Sequence, residues 1–452
     1  MVGSWVRFFG GVSVSLAMAC VAVVPAAALH PKAKVVSAHP TAHKATASKH
    51  AAKAEHGRAV KTTPIITRSG KHGHAAVEKV TVKGRHGKVA VIEREVVATR
   101  LVRGRHGRLI RVAATPARPR FVGERFYASS FADSSQYTGD ITTGEDPLVR
   151  AAAIEALGNM NGTALAIDPA TGRILAMVNQ KLALSSGAEP CSTIKLTVAL
   201  AALEEGLIKH DTLVSLGGGY KMDLTYALAK SVNPFFETLG RSLGFERVKH
   251  YANQFGLGEL AGYNIQGEQL GVYPDQELPA ALGGVGRMCS FGESVSMTPL
   301  QLGAIVAAIA NGGTLYYLQH PTTTEEVSAF QPRIKRTLDI GPLIPEMLPG
   351  MQGAVAAPWG TARRLQASFT QFPVMGKTGT CSNNGTRFGW FGSFANTPNG
   401  RIVTVFFLEG GRPTFGPKAA ELTGLFYRSL YDKNYFAPKV QSMSAEGVVG
   451  TR

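Results

Sequence analysis

Short apolar runs separated by turn residues predict a β-hairpin early in the globular part of the chain. Residues 163–167 and 173–178 are almost wholly apolar, and the residues between them include Pro169 and Gly172. Proline and glycine favour turns, so this arrangement indicates two paired strands. Later in the chain come three further strand-like runs, at 374–380, 389–394 and 401–408, and an amphipathic helical pattern from about 418 to 431.

Helical patterning dominates after this hairpin, up to Gly312. Residues 192–205 are apolar on nearly every face and are followed by Gly206, which predicts a buried helix that ends at a glycine. Thr298 followed by Pro299 is a typical helix start. The order of elements predicts an α/β (α+β) fold, in which an antiparallel five-stranded sheet is flanked by helices and carries a large helical insert.

The basic residues of the chain are concentrated in one segment. The formal net charge is +17, but residues 31–120 contain 21 Lys and Arg against 4 Glu, whereas residues 121–452 contain 26 basic against 27 acidic side chains. A basic folded body would favour nucleic-acid binding, and this body is nearly neutral. We therefore expect no nucleic-acid partner.

The first 120 residues divide into two expected segments. Residues 1–28 contain Arg7, a long apolar stretch and three consecutive alanines, which is typical of a signal peptide or a retained membrane anchor. We therefore expect the protein in the periplasm or at the outer face of the cytoplasmic membrane. Residues 29–120 are expected to be a basic, His/Lys/Arg-rich linker that is largely disordered. Three Gly-x-His-Gly repeats, two of them flanked by Val-rich runs, leave a strand-turn-strand ribbon as the alternative. The remaining expected boundaries are a lead-in segment at 121–148, a globular domain at 149–436 and a flexible tail at 437–452.

Three short motifs occur in order within the globular region. They are Ser192-Thr193-Ile194-Lys195, Ser231-Val232-Asn233 and Lys377-Thr378-Gly379-Thr380. Each is common by chance when it is taken alone. The first motif opens the predicted buried helix, the second lies between two helical runs, and the third ends a predicted strand. This joint context favours a shared site.

The motif side chains suit serine acyl transfer with a lysine as the base. Residues three apart share a helix face, so Lys195 can accept the hydroxyl proton of Ser192 when its amine is neutral. Burial and the positive charge of Lys377 are expected to lower the pKa of Lys195 towards working pH. With a neutral lysine as the base, no histidine is required. Ser231 is expected to relay the proton to the leaving nitrogen.

The other motif residues are expected to bind substrate, without a metal or a cofactor. Asn233 offers its amide to the substrate backbone, and Gly379 leaves the strand edge bare for an extended peptide. The backbone N–H groups of Ser192 and Thr380 are expected to form an oxyanion hole. A terminal carboxylate is expected to be held by Lys377, Thr378 and Thr380.

Residues 149–431 resemble the transpeptidase domain of the penicillin-binding proteins. The likeness rests on the three motifs and on the stretches 227–233, 255–258, 298–302, 310–313, 360–362 and 389–391. The pattern is closest to the monofunctional class B type, although its N-terminal pedestal is missing. The resemblance implies that Ser192 attacks the D-Ala-D-Ala bond of a peptidoglycan stem peptide and that an amine of a second stem resolves the acyl-enzyme. It also implies that penicillins, as β-lactam mimics of the substrate, acylate Ser192.

The resemblance leaves other functions open and implies a partner. The segment before residue 149 has no room for a glycosyltransferase domain, so we expect a separate glycan polymerase to supply the substrate. A D,D-carboxypeptidase or a serine β-lactamase on the same scaffold is one alternative. A non-catalytic β-lactam sensor or wall-binding scaffold is another.

Two cysteines depart from the family pattern. Family members usually carry glycine before the nucleophile and alanine or serine after the last motif threonine, whereas this chain has Cys191 and Cys381. If the implied fold is correct, these positions lie side by side and a disulfide between them is possible in an exported protein. Two small buried thiols are the alternative.

Overall fold

The computed structural model describes residues 128–437 and four strands within residues 76–113. The chain divides into two compact units, residues 1–120 and 121–452. In the first unit the strands are β1 (Ala76–Lys83), β2 (Val89–Val96), β3 (Thr99–Arg103) and β4 (Leu109–Ala113).

Two antiparallel hairpins form in this first unit, because β1 pairs with β2 and β3 pairs with β4. These strands flank the second and third Gly-x-His-Gly repeats, so each of these two repeats lies between the paired strands of a strand-turn-strand ribbon, the alternative to a disordered linker. The expected export segment at 1–28, most of the expected linker and the tail from residue 438 lie outside the described residues.

The second unit contains a mixed set of helices and strands. In chain order they are α1 (Pro147–Leu157), β5 (Gly162–Asp168), β6 (Arg173–Val178), α2 (Gln180–Ala183), α3 (Lys195–Glu204), β7 (Val214–Gly217), β8 (Tyr220–Met222), α4 (Leu224–Lys230), α5 (Asn233–Leu243), α6 (Phe245–Gln254), α7 (Gly284–Phe291), α8 (Pro299–Asn311), β9 (Thr314–Tyr316), α9 (Thr324–Ser328), β10 (Ile334–Thr337), α10 (Ile344–Ala356), β11 (Val374–Asn383), β12 (Thr386–Thr397), β13 (Gly400–Gly410) and α11 (Gly416–Asp432). Among the residues that the structure describes, no helix is both long and apolar enough to cross a bilayer.

The main sheet has five antiparallel strands in the order β11-β12-β13-β5-β6. The predicted α+β class and the five-stranded sheet are therefore confirmed. All five strands contain the predicted runs, and the three late strands extend beyond them. Strand β11 forms one edge of the sheet, which leaves its outer side free of a neighbouring strand.

Alternate residues of the central strands pack against helices on opposite faces of the sheet. In β13, Val405 and Phe407 join the core that contains α3 and α8, whereas Phe406 and Leu408 join the core that contains α1 and α11. Side chains point to opposite faces at every second residue of a strand, so a continuous apolar run fills both cores. The sheet is therefore a layer between two groups of helices.

The two helix predictions with clear end signals are confirmed. In α3, nine of ten residues are buried, and Gly206 follows with a φ of +66°. In α8, the Thr298 side chain accepts the backbone N–H of Gln301 in a capping box, and Gly312 ends the helix with a φ of +94°. Both ends use the left-handed conformation that glycine adopts without a steric penalty.

Some elements differ from the sequence pattern. The short antiparallel pair of β7 with β8 interrupts the region up to Gly312 that was predicted to be helical, and the pair of β9 with β10 follows that region. Helix α1 begins at Pro147, two residues before the expected domain start, because Asp146 caps it. The preceding segment is attached to the domain through Arg150, which forms ion pairs of 2.8 Å with both Asp140 and Glu145.

Candidate active site

Ser192 lies in a tight turn that leads directly into α3. A 3-10 turn spans Cys191–Ile194, and the α-helix proper begins at Lys195. The Ser192 side chain is half-buried, whereas Lys195 is completely buried. Lys195 Nζ lies 2.9 Å from Ser192 Oγ, so the predicted pairing along one helix face is present.

The Lys195 amine has four oxygen neighbours. Besides Ser192 Oγ, its Nζ lies 2.6 Å from Asn233 Oδ1, 2.9 Å from the Ser231 carbonyl oxygen and 3.1 Å from Ser231 Oγ. The ring of Phe236 lies beneath it, with the ring centroid 5.3 Å away. An ammonium has three protons for these four oxygens, whereas a neutral amine offers a lone pair to one hydroxyl proton. This geometry suits an amine that accepts a proton from Ser192.

Burial lowers the pKa of both motif lysines. The pKa of Lys195 lies well below its usual range. Burial is the main cause, the charge of Lys377 lowers the pKa further, and the charge of Glu237 raises it in part. For Lys377, which is also completely buried, burial lowers the pKa to about 7. Removing water disfavours an ammonium, and a second nearby cation disfavours it further. This environment therefore favours the neutral amine of Lys195.

Ser231 lies between the two lysines. It follows the last residue of α4 with a φ of +60°, and its hydroxyl oxygen lies 2.8 Å from Lys377 Nζ and 3.1 Å from Lys195 Nζ. The left-handed residue turns the chain so that α5 begins at Asn233. Ser192, Lys195, Ser231 and Lys377 therefore form a continuous line of hydrogen-bonding groups.

The third motif lies on the edge strand β11. Lys377 Nζ donates to the Thr378 carbonyl oxygen at 3.0 Å, and the Thr378 hydroxyl donates to Thr361 Oγ1 at 2.7 Å. The backbone N–H of Gly416 donates to Thr380 Oγ1 at 2.8 Å. Sequence reasoning noted the stretch that contains Thr361 but assigned this residue no role. Its hydroxyl orients Thr378.

Gly379 packs closely against the turn that carries Ser192. A Cβ at this position would lie 2.8 Å from the Pro190 carbonyl oxygen and 3.2 Å from Thr193 Cγ2. The missing side chain therefore allows β11 to pack against the turn that carries Ser192, and the direction of this Cβ is towards the turn. Trp390 supports the same contact, because its buried indole donates to the Glu189 carbonyl oxygen at 3.1 Å. Sequence reasoning noted Trp390 within a motif but assigned it no contact.

A disulfide joins Cys191 and Cys381, with their Cα atoms 5.5 Å apart. The disulfide interpretation is therefore confirmed over the alternative of two thiols. Cys289 is a buried free cysteine in the described part of the chain. The eight site residues predicted from the three motifs thus lie together, where the start of α3, the α4–α5 junction and β11 meet.

The sequence of the chain is similar to those of known bacterial proteins. It is 32% identical over 260 residues to stage V sporulation protein D of Bacillus subtilis, which covers 48% of this chain and 39% of that protein. It is 26% identical over 372 residues to the peptidoglycan D,D-transpeptidase PbpA of Mycolicibacterium smegmatis, which covers 65% of this chain and 71% of that protein. The chain thus spans less than half of the first relative's length.

Solved structures share the fold. The crystal structure of Pseudomonas aeruginosa PBP2 matches 65% of this chain and 75% of that chain, with a TM-score of 0.54 and 23% identity. The D,D-transpeptidase domain of a peptidoglycan glycosyltransferase from Eggerthella lenta matches 75% of this chain and 97% of that chain, with a TM-score of 0.54 and 18% identity. The family profile described as "Penicillin binding protein transpeptidase domain" matches residues 162–424, more than half of the chain. The chain belongs to the family of penicillin-binding protein transpeptidase domains.

Proposed function

We propose that this chain is an extracytoplasmic peptidoglycan D,D-transpeptidase that cross-links stem peptides through an acyl-enzyme on Ser192. The observation that carries the proposal is the contact of 2.9 Å between Ser192 Oγ and the buried amine of Lys195. Lowering of the Lys195 pKa by burial and by the charge of Lys377 makes this amine a proton acceptor. The name of the relative PbpA, peptidoglycan D,D-transpeptidase, supports the same reaction.

Acylation of the enzyme follows from the line of hydrogen-bonding groups. Lys195 takes the Ser192 hydroxyl proton while Oγ attacks the carbonyl carbon of the D-Ala-D-Ala bond. The oxyanion that forms accepts hydrogen bonds from the backbone N–H groups of Ser192 and Thr380. Ser231 passes a proton from Lys195 to the leaving nitrogen, because its hydroxyl lies 3.1 Å from Lys195 Nζ. The terminal D-Ala then departs as an amine and leaves the peptide as an ester on Ser192.

Substrate binding uses the edge strand. Lys377 and the hydroxyls of Thr378 and Thr380 hold the terminal carboxylate of the stem, and the outer side of β11 pairs with its backbone. Asn233 contributes its side-chain amide. In the second half-reaction an amine of another stem attacks the ester, its proton returns to the Ser192 oxygen through Lys195, and a new amide bond links the two stems.

The proposed setting of the enzyme is the outside of the cytoplasmic membrane. Residues 1–28 would export the domain as a signal peptide, or anchor it if they are retained. A separate glycan polymerase would supply the strands to be cross-linked. Penicillins would acylate Ser192, since a β-lactam presents a reactive amide and a carboxylate in the same relation as the substrate.

Labelling and product analysis test the proposal. The purified protein is treated with a fluorescent penicillin, beside Ser192→Ala and the matched control Ser382→Ala, which changes an exposed serine on β11. We expect wild type and Ser382→Ala to gain one covalent label by mass spectrometry, and Ser192→Ala to gain none. Retention of the label by folded Ser192→Ala would contradict the proposal.

A second measurement separates transpeptidation from hydrolysis. The enzyme is incubated with stem pentapeptides that end in D-Ala-D-Ala and with an amine-bearing acceptor stem. We expect cross-linked dimers by liquid chromatography with mass spectrometry. Release of D-Ala with only hydrolysed tetrapeptide would support a carboxypeptidase instead, and rapid turnover of penicillin would support a β-lactamase.

A further inference from the structure

The Cys191–Cys381 disulfide connects the two segments that flank the reaction centre. Cys191 directly precedes Ser192, and Cys381 directly follows Thr380. These two neighbours are the residues whose backbone N–H groups are proposed to bind the oxyanion. One covalent bond therefore spans both halves of the proposed oxyanion hole, between positions that lie 190 residues apart in the sequence.

Hydrogen bonds between backbones do not fix the distance between these two segments. In the part of the chain that the structure describes, no backbone hydrogen bond joins residues 191–194 to β11. Besides the disulfide, the contacts across this junction include the packing of Gly379 against the Pro190 carbonyl and Thr193 Cγ2, and the indole hydrogen bond from Trp390 to the Glu189 carbonyl oxygen. The hydrogen bond reaches the turn from β12, and so does not set the position of Thr380 directly.

The backbone at Cys191 also requires support. Its φ is +52°, in the left-handed region that residues with a side chain avoid. Four of the seven non-glycine residues with positive φ in the described part of the chain are asparagines, which tolerate this conformation, and Cys191 is not of that type. A glycine would adopt it freely. A cross-link that holds Cys191 in place is a physical reason for this backbone to persist.

We propose that the Cys191–Cys381 disulfide is a positioning element for acylation, so that the enzyme acylates at its full rate only when these cysteines are oxidised. This inference rests on the proposed function. The cross-link acts through its neighbours: it fixes the left-handed backbone before Ser192 and sets the distance from that turn to Thr380. Reduction frees the turn, and the two N–H donors no longer converge on one oxygen.

Reduction with a water-soluble phosphine tests this in the wild-type chain. The phosphine attacks one sulfur, most accessibly that of the half-buried Cys381, and water completes the reaction. The S–S bond breaks, two thiols form, and the phosphine becomes its oxide. The phosphine is then removed without oxygen, thiol content is measured by mass spectrometry, and acylation is followed over a range of fluorescent penicillin concentrations.

We expect the maximal acylation rate of the reduced enzyme to fall at least about tenfold, since losing one oxyanion donor costs about 10²–10³ in rate in comparable sites. The half-saturating penicillin concentration should change less than about threefold, because Lys377 and Thr378 still hold the carboxylate. Circular dichroism should show an intact fold. A reduced and folded enzyme that acylates within about twofold of the oxidised rate would overturn the inference. Unfolding on reduction would overturn it as well, because the bond would then support the whole domain.

Two double variants separate positioning from cross-linking as such. In Cys191→Ala/Cys381→Ala the left-handed backbone is unsupported, and we expect the low rate of the reduced enzyme. In Cys191→Gly/Cys381→Ala the glycine adopts the same φ freely, so we expect much of the maximal rate to return and to be insensitive to phosphine. Equal rates in these two variants would contradict a role through the backbone. If the alanine variant fails to fold, the reduced wild type and the glycine variant decide the question.

Cys289→Ala is the matched control for the loss of a cysteine. Cys289→Ala removes the buried free thiol, and we expect it to keep the wild-type rate and the wild-type response to phosphine. An oxidised wild type that no penicillin acylates would contradict the proposed function itself. Acylation that is equal in the oxidised and reduced states would contradict only the positioning role.

Discussion

Replacing Lys195 with methionine tests the central chemical step. The side chain is completely buried, and methionine fills a similar volume without an amine. The change removes the proton acceptor 2.9 Å from Ser192 Oγ. Ser231 Oγ keeps a partner, because Lys377 Nζ lies 2.8 Å from it on the other side. The perturbation is therefore confined to the base and to the oxygens that it contacts.

The expected loss follows from the value of a positioned base. General-base catalysis contributes about 10²–10⁴ in rate, which corresponds to about 3–5 kcal/mol of activation free energy. We expect the acylation rate of Lys195→Met to fall by this factor. Stability should change little, because the loss of hydrogen bonds is offset by the removal of a buried amine whose charged form is disfavoured.

Acylation by a fluorescent penicillin is the assay, with circular dichroism as the check on folding. Lys230→Met is the matched control: this lysine is exposed, directly precedes Ser231, and donates to the Tyr226 hydroxyl at 3.0 Å. We expect the control to acylate at the wild-type rate. A folded Lys195→Met that acylates within about threefold of wild type would show that another group takes the proton.

The burial of Lys377, the packing of Gly379 and the hydrogen bond of Thr361 can each be tested. The pKa of Lys377 is about 7 in the native state and about 10.5 when unfolded. Between these two pH values the unfolded chain therefore binds one proton more than the native chain. The contribution of Lys377 to the unfolding free energy rises with pH across that window. Urea unfolding should show that the unfolding free energy of Lys377→Met exceeds that of wild type most below pH 7, and that the difference shrinks as the pH approaches 10.5. A difference in unfolding free energy that stays constant with pH would contradict burial of a neutral lysine. Gly379→Ala places a methyl group against the Pro190 carbonyl, so we expect the unfolding free energy to fall by about 1–3 kcal/mol, with a lower melting temperature and slower acylation. The control Ser382→Ala, at an exposed position, should change neither the melting temperature nor the acylation rate. Thr361→Val removes the hydrogen-bond acceptor of the Thr378 hydroxyl, so the half-saturating penicillin concentration should rise about two- to tenfold. Thr361→Ser keeps a hydroxyl and should keep the wild-type value. Equal values for both variants would exclude a role of the Thr361 hydroxyl in orienting Thr378.

Local signals in the sequence determined much of the fold. Pro169 and Gly172 marked the β5–β6 turn, the apolar run after Ser192 marked α3, and Thr298 with Pro299 marked the start of α8. Each signal acts between residues that are close in the sequence, through turn preference, helix capping or the period of apolar positions. The pairing of Ser192 with Lys195 was predictable for the same reason, because one helical turn fixes it.

Tertiary structure alone decided how the distant parts of the site meet. Three features of the site depend on where α4, β11 and the turn that carries Ser192 are packed. They are the position of Ser231 between two lysines, the direction of the Gly379 Cβ towards Pro190, and the disulfide between Cys191 and Cys381. Motifs identified Ser231 and Gly379 as site candidates, and the two cysteines stood out as departures from the family pattern. Their distances and burial depend on contacts between residues far apart in the sequence. The short β7–β8 and β9–β10 pairs escaped prediction for a related reason, because three or four residues carry too little periodicity to distinguish a strand from a loop. The sequence by itself therefore determined the chemistry that is available, and the packing of the sheet against its helices determined the geometry in which that chemistry is placed.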